Sequence, residues 1–354
     1  MVGEHGLALV TGGAGFIGSH VVDELADHGW SVRVLDCLHP EAHREAPGYL
    51  RDDVEYLWAD VREHETALRA LDGADAVSHQ AAMVGLGVDF QDVAAYVSHN
   101  SLGTAALLRA MHQTGFAGRL VLGGSMVVYG EGAYACPVHG AVRVGPRSIA
   151  ALSRGSFEPR CASCDAVLAP APVPESAAPD PRNVYAATKL NQEHLCEAFG
   201  REHGSGVVAL RYHNVYGPRM PRDTPYSGVA AIFRSSLEGG RPPQVFEDGR
   251  QLRDFVHVRD VARANRLALE SGLAGRFNVA SGEPRSVGEL ATELARAIGG
   301  PQPEVTGEFR AADVRHVFAS IERARQDLGY RPQVAFADGI QEFARAPLRA
   351  AAPG

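Results

Sequence analysis

The stretch Leu7–Asp36 reads LALVTGGAGFIGSHVVDELADHGWSVRVLD, and the fold is decided there. A short apolar run, Leu7 to Val10, stops at Thr11 and a glycine cluster, after which Ile17, Val21 and Leu25 recur at helical spacing until Gly29. The pattern predicts strand, Gly-rich turn, helix. A second apolar run, Val32 to Leu35, ends on Asp36 and gives the segment the punctuation of half a βαβ unit. The glycines divide the work. Gly12 allows the tight turn, Gly15 lets backbone approach a pyrophosphate, and Gly18 lets the helix pack against the strand. The diphosphate then rests on the helix N-terminus at Phe16 and Ile17. Asp36 stands where an acid takes adenosine ribose hydroxyls. Cys37 and Leu38 follow it rather than Arg or Lys, so a 2′-phosphate would meet an unpartnered carboxylate and NAD is favoured over NADP.

Outward from this stretch, 354 residues can bury a large core, and the net charge of −8 comes without a long block of one sign. Nucleic acid and acidic membrane surfaces are therefore not expected partners. With no apolar leader and no run of eighteen apolar residues, a soluble, cytoplasmic protein is expected. Val54 to Trp58 reads as a third strand running into Asp60 and Val61. Asp60 either meets the adenine amino group or caps the helix that begins near His64. Asp75 to His79 is a fourth strand, ending in Gln80, Ala81 and Ala82, where small residues let backbone pass close to the cofactor. Tyr96 to Thr114 is periodic at helical spacing and includes Asn100. Leu120 to Gly123 is a fifth strand, Gly206 to Arg211 a sixth, and Phe277 to Ala280 a candidate to return to the sheet. The alternation predicts an α/β fold with a doubly wound parallel sheet.

The fifth strand runs into Ser125, on the sheet edge where ligands bind. The next ordered helix is expected from about Asn183 to His203, and Tyr185 and Lys189 lie one turn apart on its face. Removing the proton of a carbinol as its hydride leaves needs a base such as a phenolate. Lys189 would stabilise Tyr185 in that form, and Ser125 would orient the hydroxyl.

These motifs, with RYHNVYGPR at Arg211–Arg219 and RDFVHVRDVARA at Arg253–Ala264, resemble an extended short-chain dehydrogenase/reductase. More narrowly, the chain is similar to the NAD-dependent nucleotide-sugar epimerase/dehydratase family over Leu7 to about Pro332. The resemblance implies a Rossmann-type domain over 1–212, carrying an insert at 131–180. It also implies a smaller C-terminal α/β substrate-binding region, 213–343, and a tail, 344–354, expected to fray. It assigns Ser125, Tyr185 and Lys189 to catalysis. Gly12, Gly15, Phe16, Ile17, Gly18, Asp36, Asp60, Val61, Ala81, Ala82 and Asn100, with Tyr185 and Lys189, go to NAD. Asn214, Arg253 and Arg310 go to the nucleoside diphosphate, and Asp313 to the nucleoside ribose. A homodimer through the Tyr96 and Tyr185 helices is also implied.

The chain departs from the family where dehydratases carry an Asp and Glu pair just after the serine: here stand Met126 and Val127. Neither shuttles a proton, so loss of water is disfavoured and 4-epimerisation through a 4-keto sugar is the expected activity. Reduction of a nucleotide keto-sugar is the alternative, and a non-catalytic NAD-binding protein a further one. Val317 falls near the position that gates sugar size. The cysteine-bearing insert resembles the dTDP-L-rhamnose 4-epimerase branch and favours a deoxyhexose.

Within that insert, Cys136 and His139 are followed after twenty-one residues by Cys161 and Cys164. Paired ligands repeated after a spacer suit a tetrahedral ion, and three thiolates with one imidazole suit structural zinc. A reduced unliganded loop and a Cys161–Cys164 disulfide are the other readings.

Overall fold

Seven parallel strands make the central sheet, which in the computed structural model is described together with residues 4–40, 42–43, 45–85, 90–222, 228–311 and 313–349. Its first five strands in chain order are β1 (Leu7–Thr11), β2 (Ser31–Asp36), β3 (Glu55–Trp58), β4 (Ala76–His79) and β5 (Arg119–Ser125). Across the sheet the order is Gly275–Val279, Val207–Tyr212, β5, β4, β1, β2, β3. The direction of winding reverses between β1 and β4, so the crevice for a dinucleotide opens at their carboxyl ends, where Thr11 pairs with His79.

Helices cover both faces because the strands are apolar on both sides. On one face Val21, Val22 and Leu25 of helix Phe16–Asp27 pack with Val261, Ala264 and Ala268 of helix Val258–Glu270. On the other lie Ala67, Leu107, Met111, Cys196 and Phe199, from helices His64–Leu71, Gly103–Gln113 and Val184–His203. The last of these is capped at both ends: Asn183 accepts from the Ala186 amide at 2.8 Å, and Gly204 closes it in the left-handed conformation. A third core, built from helices Val229–Glu238, Val287–Ile298 and Phe336–Arg345, forms the substrate-side region. Strand Gly275–Val279 ties that region to the main sheet by pairing with Val207–Tyr212.

Three local features differ from the sequence expectations. The helix read as continuous from Tyr96 to Thr114 is divided: Val93–Tyr96 and Gly103–Gln113 are α-helical, and Val97–Leu102 forms a π turn. The wider turn points Asn100 inward, where it is fully buried. The insert is not featureless. Strand Ala133–Cys136 pairs antiparallel with Gly140–Val142 and with Ala169–Ala171 over a small core of Tyr134, Cys136, Cys161 and Leu168, and a single helical turn spans Ile149–Leu152. Finally, residues 346–349 of the tail do not fray. Leu348 is buried in the substrate-side core, the Arg349 amide donates to the Met220 carbonyl at 3.0 Å, and the Arg222 amide donates to the Arg349 carbonyl at 2.8 Å. Residues 350–354 lie outside the described residues.

Candidate active site and Cys/His cluster

The Gly-rich turn has the shape that its glycines predict. Gly12 sits at φ +69°, and a Cβ there would lie 2.7 Å from the Ala81 amide nitrogen, so β1 and the start of the β4 loop touch. A Cβ on Gly18 would come within 2.0 Å of the Gly12 carbonyl oxygen, which explains why the helix can begin so near the strand. Gly15 is the N-cap of the helix, and the first amides after it, at Phe16 and Ile17, have no intrahelical acceptor. That end is the natural seat for a diphosphate.

Asp36 is buried and already engaged: its carboxylate accepts from the Ala14 amide at 3.0 Å and from the Leu38 amide at 2.8 Å. Burial raises its pKa; the two amides and the positive charge of Arg349 oppose the rise. Arg349 was invisible to the local reading of Cys37 and Leu38. Its guanidinium reaches the Tyr49 hydroxyl at 3.5 Å, and that hydroxyl donates to the Ala14 carbonyl at 2.8 Å. The local reading of Cys37 and Leu38 therefore left out a positive charge, from far along the chain, that is felt at the acid.

Asp60 does not cap the helix that begins at His64. Its carboxylate turns onto Arg62, accepting from the Arg62 amide at 2.8 Å and from the guanidinium at 2.6 and 3.0 Å. The cap of the next helix is Glu63. The Val61 side chain is buried in the core under that helix. Beyond β4, the Ala81 amide donates to Thr11 Oγ1 at 3.2 Å, and Ala82 follows in the same loop. Asn100 accepts from the Met83 amide at 2.7 Å and donates to the Met83 carbonyl and to Thr188 Oγ1, both at 3.0 Å. It thus locks that loop to the catalytic helix.

Ser125, the last residue of β5, stands near the phenol of Tyr185. Burial pushes that phenol up to about 12, with the serine pulling the other way. Lys189 is buried, and its ammonium donates to the Gly123 carbonyl at 2.6 Å and to Gln192 Oε1 at 2.8 Å; burial brings it down to about 8. A polar chain continues from there: Gln192 to Thr104 at 2.7 Å, Thr104 to His79 at 2.9 Å, and His79 to Thr11 at 2.7 Å. The sequence reading missed Gln192 and Thr104. Gln192 could have been found, since it lies three residues after Lys189 on the same helical face. Arg211 and Glu193, both fully buried, form a two-point ion pair at 2.7 and 3.0 Å that fastens the catalytic helix to the neighbouring strand.

On the substrate side, the Arg253 guanidinium donates to the carbonyls of Leu252 at 2.8 Å, Arg315 at 2.9 Å and Val314 at 2.7 Å. Asn214 Oδ1 is buried without a hydrogen-bond partner among the described residues. Arg310 stacks over the Phe246 ring at 5.1 Å in an open cavity of about 580 Å³, and the Asp313 amide donates to the Arg310 carbonyl. Val317 is buried with Val128, Tyr129 and Val173, and Met126 packs on them beside Ser125.

The insert brings its four predicted residues together. Cys136, His139, Cys161 and Cys164 place their ligand atoms within 4.8 Å of one another. Cys136 Sγ and Cys161 Sγ each lie 3.4 Å from His139 Nδ1, and Cys136 Sγ lies 3.6 Å from Cys164 Sγ. A tetrahedron with metal–sulfur bonds of about 2.3 Å and metal–nitrogen bonds of about 2.0 Å has edges of roughly 3.6–3.8 Å, so the four residues fit one ion. All five cysteines are free, which excludes the Cys161–Cys164 disulfide here. The amides of Ser163 and Cys164 pull the Cys161 thiol down to about 6.

With this geometry in view, the chain matches the NAD dependent epimerase/dehydratase family over residues 8–158 and 150–280. It belongs to that family. Within it, the chain is 33% identical over 342 residues, 95% of its length and 93% of the relative's, to a dTDP-L-rhamnose 4-epimerase of Burkholderia thailandensis. It is similar to a Thermus thermophilus UDP-glucose 4-epimerase solved in complex with NAD, at 33% identity and a TM-score of 0.75, covering 96% of this chain and 97% of that one. A Methanobrevibacter ruminantium UDP-N-acetylglucosamine 4-epimerase superposes with a TM-score of 0.77 at 26% identity, covering 98% of each. The family's mixed α/β architecture with a central parallel sheet is the fold described above. None of the described helices is long and apolar enough to cross a membrane.

Proposed function

We propose that the protein is an NAD-dependent nucleotide-sugar 4-epimerase that inverts C4 through a transient 4-keto sugar. The observation that carries the reading is the placement of Ser125, at the end of β5, near the buried Tyr185 phenol, with Met126 and Val127 in the two places where a dehydratase needs acids. Tyr185 takes the C4 hydroxyl proton while Ser125 holds the hydroxyl oxygen. Burial alone keeps the phenol protonated, so its activation depends on positive charge nearby, to which Lys189 contributes from the next helical turn. NAD, seated on the Gly12–Gly18 turn with its ribose toward Asp36, supplies the hydride acceptor at C4 and the donor for the return. Asn214, Arg253 and Arg310 hold the diphosphate and Asp313 the nucleoside ribose, while the sugar turns over about that anchor.

A 6-deoxyhexose suits the apolar surface of Met126 and Val317, and the similarity to a dTDP-L-rhamnose 4-epimerase supports it. Zinc is the ion we assign to the Cys/His cluster, as a structural centre with all four positions filled by protein. Three free thiols dedicated to a metal suit the reducing cytoplasm. The helices that carry Tyr96 and Tyr185 form the dimer face, on which Val97 and Leu102 stand exposed. The deciding experiment incubates purified protein with dTDP- and UDP-hexoses, with no cofactor added, and follows C4 by NMR. Inversion is expected. A dehydrated 4-keto-6-deoxy product, or turnover only on adding reduced cofactor, overturns the reading.

A further inference from the structure

We infer that Arg147 and Glu158 of the insert are positioning residues for the substrate's diphosphate, acting through the backbone that orients Arg253; this rests on the epimerase reading above.

The pivot is the segment 313–317. All the hydrogen bonds described for the Arg253 guanidinium go to backbone carbonyls, and two of these, Val314 and Arg315, belong to this segment. Wherever those carbonyls stand, the guanidinium follows. The segment is held from the insert side at several points. Arg147 donates to the Asp313 carbonyl at 2.6 Å, and Glu158 accepts from Arg315 Nε at 3.0 Å and bonds His316 Nε2 at 2.9 Å. From the substrate side, Arg315 donates to Glu247 at 2.8 Å and to Asp248 at 2.6 Å. Arg147 closes the circuit by donating to the other Glu247 oxygen at 2.7 Å.

Two properties mark this as more than packing. Arg315 is fully buried, and a buried cation is tolerated only where carboxylates surround it; here one of the three, Glu158, comes from the insert. Glu247 is buried and held at φ +54°, a backbone region that side chains other than Gly rarely adopt, and its carboxylate joins Arg147 of the insert to Arg315. Strain of this kind persists where surrounding contacts over-determine it, and such sites cluster at ligand clamps. Glu158 lies three residues before Cys161, and between them the Pro159 carbonyl accepts from the Leu168 amide at 3.0 Å. None of these contacts involves the Gly-rich turn.

The test compares wild type, Glu158→Gln and Arg147→Gln by calorimetric titration with dTDP and with UDP. NAD and zinc contents are measured on the same samples, and KM and kcat on the sugar that wild type inverts. The expected result is a loss of about ten-fold in diphosphate affinity and a matching rise in KM, with kcat, NAD content and zinc content unchanged. Glu158→Asp should restore part of the affinity. Affinities within two-fold of wild type in both variants, or a fall in kcat at constant KM, overturn the inference. Wild type that binds neither nucleotide overturns the epimerase reading itself.

Discussion

The ammonium of Lys189 donates to the main-chain carbonyl of Gly123 at 2.6 Å, two residues upstream of Ser125. The lysine is therefore anchored to the strand that carries Ser125, one helical turn from Tyr185. The phenol at the centre has one chemical task.

Tyr185→Phe should lower turnover by a factor of about 10² or more while NAD stays bound, because one oxygen is lost and the ring remains. Initial rates and the cofactor content of the purified variant check both halves. Near-normal turnover would remove Tyr185 from the mechanism.

Cofactor choice should respond to Asp36 and Arg349 together. Asp36→Ala removes the carboxylate but leaves the positive charge of Arg349 acting on that end of the sheet, so NADP affinity should rise by about ten-fold. Adding Arg349→Ala should cancel that gain. Fluorescence titrations with both cofactors decide it, and equal NADP binding by the single and double variants would show that Arg349 takes no part.

Metal analysis of protein purified without a chelating tag should find about one zinc per chain. Cys161→Ser should lower that content and weaken substrate binding, with NAD retained. A metal-free preparation of full activity would reduce the cluster to a chance arrangement.

Acid should destabilise the fold well above the pKa of carboxylates. His79 and His213 are buried, and burial lowers each to about 3. In the unfolded chain both titrate near pH 6.5, so below that pH the unfolded state binds more protons and stability falls as pH falls. Their contribution is complete above pH 6.5 and is lost toward pH 3, at up to about 1.4 kcal/mol per pH unit for each histidine. Urea midpoints at pH 7, 6 and 5 should drop accordingly, and His213→Asn should flatten the slope. Midpoints that do not move between pH 7 and 5 would contradict this.

What could be read from the sequence was local. Gly12, Gly15 and Gly18 are spaced within one turn, Tyr185 and Lys189 within one helical turn, and the ligand pairs of the insert within three residues of each other; such patterns survive without knowledge of the fold. The Thr11–His79 and Thr104–Gln192 bonds join residues 68 and 88 positions apart, and only the completed sheet brings them together. The same holds for the charge of Arg349 felt at Asp36. Of the two roles read for Asp60, the cap fell to Glu63, one residue before the helix, because sequence alone does not fix a helix start to the residue.

The placement of the insert also bears on how the chain reaches its final state. Ser125 and Tyr185 must meet across a sequence separation of 60, of which Cys136 to Cys164 span 28. Joining those four residues on one ion roughly halves the free loop, and each halving lowers the closure entropy by only about 0.6 kcal/mol. Shortening the path is thus a small benefit, and the main effect expected of the proposed metal is to order the insert itself. The parallel sheet and its Gly-rich turn do not wait for it. Refolding in the presence of a chelator should therefore return a protein that recaptures NAD at the normal rate but stays deficient in nucleoside diphosphate binding until zinc is restored.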